Sequence, residues 1–314
     1  MPTPFPGSPT GRRTLLAALL GTGATLLASC AADPLSPTGP PPTAATAPLP
    51  TAPAPSPPAA AAAPARAVPS RSAVLSAYAS RPSGAFGLEI KGIELGLPAS
   101  ARGAALTFDA CGGPNGEGYD VALVKVLRKH RAPATLFINQ RWAAANEGLV
   151  RELAADPLFE IANHGTTHAP LASRGQAAYG IPGTASIAAA YDEIMDNQRY
   201  LADTFGIQAK FFRSGTAYQD ELGAALCREL GLVPMNFTVN LDAGATFRAA
   251  SVAAQTRALR AGDVGIGHFN RPASETARGM AEALPGLLES LAARKLALLT
   301  LSEAFGARTG APSA

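Results

Sequence analysis

His164 and His168 stand in the run His-Gly-Thr-Thr-His, a spacing that puts two imidazoles on one side of a helical turn or tight loop. A divalent transition metal needs that arrangement from two neighbouring ligands. A capping histidine beside an exposed one would give the same spacing, so the pair alone decides nothing. Elsewhere along the chain Asp109, Arg213, Asp242 and His268 offer a third polar ligand or a base. His130, in Lys129-His130-Arg131 at the end of an expected helix, reads instead as a surface residue near the negative end of the helix dipole.

To act together these residues must be carried to one place. Short apolar runs predict strands over Ala104–Phe108, Ala134–Ile138, Leu158–Ala162, Ala209–Phe212, Leu232–Val239, Val264–Gly267 and Leu296–Thr300. Amphipathic stretches separate them at 119–130, 142–155, 218–230, 248–261 and 274–294. Between the third and fourth strands Ile187, Tyr191, Ile194 and Leu201 recur at helical spacing, with Asp192, Glu193, Asp196 and Arg199 on the other face. Strands alternating with helices imply parallel pairing and right-handed crossovers. Asp109, Asn163-His164, Arg213, Asp242 and His268 then all follow C-terminal strand ends. In a barrel those ends converge on one mouth, whereas the edges of an open sheet would keep them apart. The expected fold is therefore α/β, a distorted (β/α) barrel of about seven strands.

In this order, Leu106-Thr107-Phe108-Asp109, His164xxxHis168, Arg213, Asp242 and Ile266-Gly267-His268 resemble the motifs of the NodB-type polysaccharide deacetylases, carbohydrate esterase family 4. Leu299-Thr300-Leu301-Ser302-Glu303 is similar to that family's last strand, and the resemblance covers about residues 100–305. It implies a divalent metal, usually zinc, and removal of N-acetyl or O-acetyl groups from a polysaccharide such as peptidoglycan or a chitin-like amino-sugar polymer. On the same resemblance Asp109 matches the general base and Arg213 the residue that keeps it ionised and oriented. His268 matches the general acid, Asp242 the carboxylate that raises its pKa, and His164 and His168 the metal ligands.

The first motif departs from the family's pattern. The second of two adjacent aspartates, normally the third metal ligand, is here Ala110, which cannot coordinate anything. The adopted reading gives Asp109 both roles, base and ligand; Asn163, Cys111 or extra water are the alternatives. The third motif reads Arg213-Ser214-Gly215-Thr216-Ala217-Tyr218, and Tyr218 or nearby backbone N–H groups are the candidates for contacting substrate. Cys111 and Cys227 could pair in an oxidising compartment, although Cys227 lies on an apolar helical face where a core thiol is the commoner fate. Gly112-Gly113-Pro114-Asn115-Gly116-Glu117-Gly118 lacks the Lys-Ser/Thr of a phosphate cradle and reads as an active-site loop.

The 314 residues hold 28 prolines, 17 of them before residue 71, so two different polymers are joined end to end. With 47% hydrophobic and 16% charged residues, disorder throughout is excluded. The net charge of +3, without a basic run and with one Trp, leaves no footprint for nucleic acid. Residues 1–29 read as an export signal: Arg12-Arg13, which with Thr14-Leu15-Leu16 resembles a twin-arginine signal, then an apolar stretch too short for a membrane span. Leu27-Ala28-Ser29-Cys30 resembles the bacterial lipobox, with Cys30 the acylated residue. Residues 30–70 then form a Pro/Ala/Thr-rich tether and 71–314 the catalytic domain, an envelope lipoprotein held to a membrane by lipid. Two rival functions are a catalytically silent carbohydrate-binding domain and an amidohydrolase of a small amide.

Overall fold

The computed structural model describes residues 68–306. The expected signal, Cys30 and all but the last residues of the tether lie outside the described residues. Among the described residues no helix is long and apolar enough to cross a membrane.

Eight parallel strands build the sheet: β1 (Gly103–Ala110), β2 (Ala134–Ile138), β3 (Phe159–Asn163), β4 (Phe211–Phe212), β5 (Val233–Pro234), β6 (Val239–Asn240), β7 (Val264–His268) and β8 (Ala297–Leu298). Seven follow one another in the order β5-β4-β3-β2-β1-β7-β6, and β8 adds to the start of β1. The sheet curls into a half-barrel flanked by helices, the distorted (β/α) barrel expected from the alternating pattern. Nine helices lie among the described residues: α1 (Arg71–Tyr78), α2 (Val121–Lys129), α3 (Gln140–Ala145), α4 (Glu147–Ala155), α5 (Ile187–Phe205), α6 (Glu221–Glu229), α7 (Ala249–Ala258), α8 (Thr276–Ala293) and α9 (Leu301–Gly306).

Every residue of β1 is buried, as a parallel strand covered on both faces requires. Leu106, Phe108 and Ala110 join Leu123 and Leu127 of α2 and Met280 and Leu284 of α8 in the outer core. Ala105, Thr107 and Asp109 take the opposite face by the two-residue period of a strand, and Ala105 meets Phe137, Ala162 and Phe211 inside the curl.

Three elements differ from the sequence expectation. The strand expected over 232–239 is two strands at opposite edges of the sheet, β5 beside β4 and β6 beside β7. Met235 N still donates to Phe212 O and Thr238 N already donates to Val264 O, so three residues carry the chain across the opening. At about 3.3 Å per residue the gap is on the order of 10 Å. The helix expected over 142–155 breaks at Asn146, whose backbone leaves the helical region (φ −134°, ψ 36°). Its Nδ2 donates to Glu117 O and Trp142 O instead. The last strand stops at Leu298 because Thr300 and Glu303 form a capping box: Thr300 N donates to Glu303 Oε2 at 2.7 Å and Glu303 N to Thr300 Oγ1 at 3.2 Å. The helix this starts, α9, plugs the end of the half-barrel opposite the expected site. There Leu301 N donates to Thr135 Oγ1 and Ser302 N and Oγ to Glu160.

Candidate metal centre and active site

The β1–β7 register sets Asp109 directly opposite His268, so one rung of the ladder carries both. His164 follows β3, Arg213 follows β4 and Asp242 follows β6. Asp109, His164, His168, His268 and Cys111 line a single cleft of about 670 Å³ at the C-terminal strand ends.

Asp109 is almost fully buried. Its Oδ1 accepts from Arg213 Nη1 at 2.7 Å, and its Oδ2 lies 3.6 Å from His164 Nε2. Burial opposes ionisation of this carboxyl; Arg213, with His164 and His268, outweighs it and holds the pKa below the usual value. Arg213 is fixed in turn. Its Nη2 donates to Thr107 Oγ1 at 3.0 Å and Asn236 O at 2.9 Å, its Nε to Met235 O at 3.2 Å, and its guanidinium carbon lies 4.0 Å from the Phe137 ring centre. The strand split that detaches β5 from β6 is what brings the carbonyls of residues 235 and 236 to this guanidinium.

The donors that gather into a possible cation site are Cys111, His164 and His168, whose ligand atoms all lie within 4.8 Å of one another. His164 Nδ1 sits 2.9 Å from the Arg213 carbonyl. A carbonyl only accepts, so Nδ1 carries the hydrogen and Nε2, 3.8 Å from Cys111 Sγ, presents its lone pair. Two nitrogens and a sulphur with an orienting partner behind one of them fit a zinc-type cation. Burial alone would raise the Cys111 thiol. His168 first, then His164 and His268, outweigh it and hold the thiol well below its ordinary value. Asn163, one of the alternatives weighed for the third donor, is fully engaged elsewhere. Its Nδ2 donates to Ile194 O and Gln198 Oε1, and its Oδ1 accepts from Gly165 N and Asn197 Nδ2.

The loop that carries the two histidines is shaped by Glu193. The helical pattern puts this residue on the solvent face of α5, yet it is 4% exposed and its carboxylate accepts from Thr167 N, Thr167 Oγ1 and Ala169 N. His168 has a left-handed backbone (φ 66°). Its carbonyl passes so close to Gly215 that a Cβ there would overlap it, which accounts for glycine within the third motif.

His268 Nδ1 lies 2.9 Å from Asp242 Oδ1, and His268 N donates to Asp242 Oδ2 at 2.7 Å. Thr276 Oγ1 and Ala245 N also donate to the Asp242 carboxylate, fixing it from two further sides. Burial pushes the His268 imidazole down, but Asp242 outweighs it and the pKa stands well above the usual value.

Tyr218 is placed differently from the other candidates. Its ring forms the middle of an aromatic shelf, 5.6 Å from Phe86 and 5.4 Å from Tyr179, while Thr216 and Ala217, both left-handed, face the cleft in its stead. Tyr179 was not foreseen. It occupies a tight turn closed by hydrogen bonds between Ala178 and Ile181, has positive φ like the following Gly180, and is 74% exposed at the cleft rim. The only advance signal was a Tyr-Gly pair in a loop. Cys111 and Cys227 are both free, and Cys227 is a core thiol in the apolar cluster that also holds Val74, Leu222 and Leu226; burial raises its pKa.

The sequence pattern described as polysaccharide deacetylase matches residues 97–235. No curated protein matches the chain. Among solved structures, a peptidoglycan N-acetylglucosamine deacetylase is 20% identical with a TM-score of 0.56, over 68% of this chain and 93% of that one. An acetyl xylan esterase from Clostridium thermocellum, in complex with cobalt, is 22% identical with a TM-score of 0.51, over 67% and 92%. A carbohydrate esterase family 4 pseudoenzyme from Bacillus anthracis is 16% identical with a TM-score of 0.53, over 67% of each chain. At these identities the likeness is one of fold.

Proposed function

From the premise that residues 97–235 carry the polysaccharide deacetylase pattern, we propose that this chain hydrolyses acetyl groups from an N-acetylated or O-acetylated polysaccharide, using a divalent cation, zinc foremost. The observation that carries the reading is the pairing of a buttressed carboxylate with a buttressed imidazole across one rung of the sheet, beside the Cys111, His164 and His168 donors. A domain that only bound sugar would have no use for both.

Cys111, His164 and His168 would hold the cation, which when bound supplies Lewis acidity to an acyl carbonyl and to a water. Arg213 occupies Oδ1 of Asp109 and so leaves Oδ2 turned to the cleft. There Asp109 takes the proton of the attacking water. His268, with Nδ1 held by Asp242, presents Nε2 and gives its proton to the departing nitrogen or oxygen. Asp109, Arg213 and Asp242 are buried, His268 is mostly so, and each pair is hydrogen-bonded, so both groups are held in position before substrate binds. The wide cleft and the exposed Tyr179 ring at its rim, backed by Tyr218, suit the apolar face of a sugar ring and favour a polymer over a small amide.

Acetate release from N-acetylchitohexaose and from acetylated xylan, measured with and without chelator, tests the reading. We expect release that stops on chelation and returns with added zinc; ammonia or a ring-opened product from a small cyclic amide, with no acetate from either glycan, would replace the reading by an amidohydrolase. We further propose that the chain is exported and held at a membrane by acylation of Cys30. Radiolabelled palmitate should enter the protein and be lost in Cys30→Ala; labelling that persists in that variant would refute it.

A further inference from the structure

We infer that the cleft selects acetylated glycans bearing carboxylates, which Arg141 and Arg271 recognise at its rim; that the ligand is a glycan rests on the deacetylase reading.

Charge inside the cleft is arranged in closed pairs. Among the described residues Asp109 is the only carboxylate lining it, and Arg213 answers it at 2.7 Å. His268 is answered by Asp242 at 2.9 Å. Two guanidiniums at the rim, Arg141 and Arg271, have no carboxylate partner among the described residues. Arg141 Nη2 donates to Cys111 O at 3.4 Å and its Nε to Asn139 Oδ1 at 3.3 Å. Arg271 Nη1 donates to Asn115 O at 2.7 Å. These acceptors are neutral. Elsewhere on the surface Arg128, Arg151, Arg228 and Arg257 each face a carboxylate, whereas Arg294, at the far end of α8, donates to Ser290 O and Oγ.

Both rim arginines are also held in place before any ligand arrives. Each is tied to a carbonyl of the turn that follows β1, at Cys111 and at Asn115, and the guanidinium of Arg141 lies over Gly113, where a Cβ would come within 2.8 Å of Nη1. A guanidinium has five N–H groups in a planar fork, so each retains donors for a carboxylate, and the side-chain entropy of fixing it has been largely spent. An electropositive rim above a floor whose carboxylates are each paired concentrates anions at the site. Tyr179, also at the rim and largely exposed, offers a ring face for a sugar. Together they describe a ligand with an apolar ring face and an acidic substituent.

The test measures binding by the purified full-length chain in matched pairs: hyaluronan hexasaccharide against N-acetylchitohexaose, for a carboxylate on alternate sugars, and N-acetylglucosaminyl-N-acetylmuramic acid against N-acetylchitobiose, for a carboxylate on the amino sugar. At low salt the acidic member of at least one pair should bind about tenfold tighter, the worth of one charge-assisted contact. That preference should fall to within about twofold at about 0.5 M NaCl. It should fall likewise in Arg141→Ala/Arg271→Ala, and persist in part in Arg141→Lys/Arg271→Lys. Equal binding within both pairs, no binding of any of the four, or a preference that survives the double alanine change would overturn the inference. Acetate is assayed in the same samples: acid preference without release sinks the deacetylase reading alone, and release without preference sinks this inference alone.

Discussion

Asp109→Asn lowers the rate of acetate release on the order of 10³-fold, the scale of a lost general base, while leaving the cleft assembled. Asparagine keeps an oxygen to accept from Arg213 Nη1, so the 2.7 Å contact can survive; what goes is the proton affinity of the oxygen facing His164. The change also strands a guanidinium that is fully buried. Breaking a buried pair from one side costs about 3–5 kcal/mol, so the denaturation midpoint should drop, and Asp109→Ala should drop it further by leaving Nη1 without an acceptor. Cation content separates the roles: a base that is not a ligand can be neutralised with the cation retained. An Asp109→Asn protein that loses its cation would restore the double role given to this aspartate by the sequence reading, and one that releases acetate at the parent rate would remove Asp109 from the chemistry.

Cys111→Ser is expected to weaken cation binding by about 100-fold or more, since disturbing even the partners behind a ligand costs about 10–100-fold. Titration with zinc against a competing chelator gives the magnitude. The nature of the donor is read independently with cobalt, whose bond to a thiolate adds a charge-transfer absorption in the near ultraviolet; the band should be present in the parent protein and absent in Cys111→Ser. Cys227 cannot confuse the result, being wholly buried in the cluster beneath α6. Unchanged affinity together with a parent cobalt spectrum lacking that band would mean that the third donor is not sulphur. Cys111→Asp, which sets a carboxylate one residue beyond Ala110, should then bind more tightly than Cys111→Ser in either case, because it restores an anionic ligand.

The sequence made the strand ends legible because periodicity and polarity change together there. Asp109, His164, Arg213, Asp242 and His268 each terminate or follow an apolar run, and each faces the cleft or supports a residue that does. The third donor was harder to read. Cys111 lies two residues past Asp109, where β1 has already turned into its loop, and no period of helix or strand assigns a direction to a side chain in a turn. Glu193 shows the opposite failure: the period of α5 is correct, but a charged residue on the outer flank is drawn in by three donors of the histidine loop. Pro234, at the end of β5, cannot donate to a ladder and marks where the expected strand weakens, just before the chain crosses between residues 235 and 238. That the two pieces join opposite edges depends on the closure of the whole sheet, which no local pattern contains. Tyr179 needed the turn conformation, since exposure of a tyrosine is a tertiary fact.

Asp109 and His268 owe their separation to a backbone ladder and not to loops. The distance between the carboxylate and the imidazole is thereby insulated from drift in the loops that border the cleft, which carry Gly112, Pro114, Tyr179 and Ile181. Insertions or substitutions in those segments can reshape the cleft rim without moving this pair, whereas a shift of one residue between β1 and β7 would leave one of the two groups in the cleft and turn the other toward the helices. Descendants of this chain should therefore diversify at the rim while the ladder stays fixed.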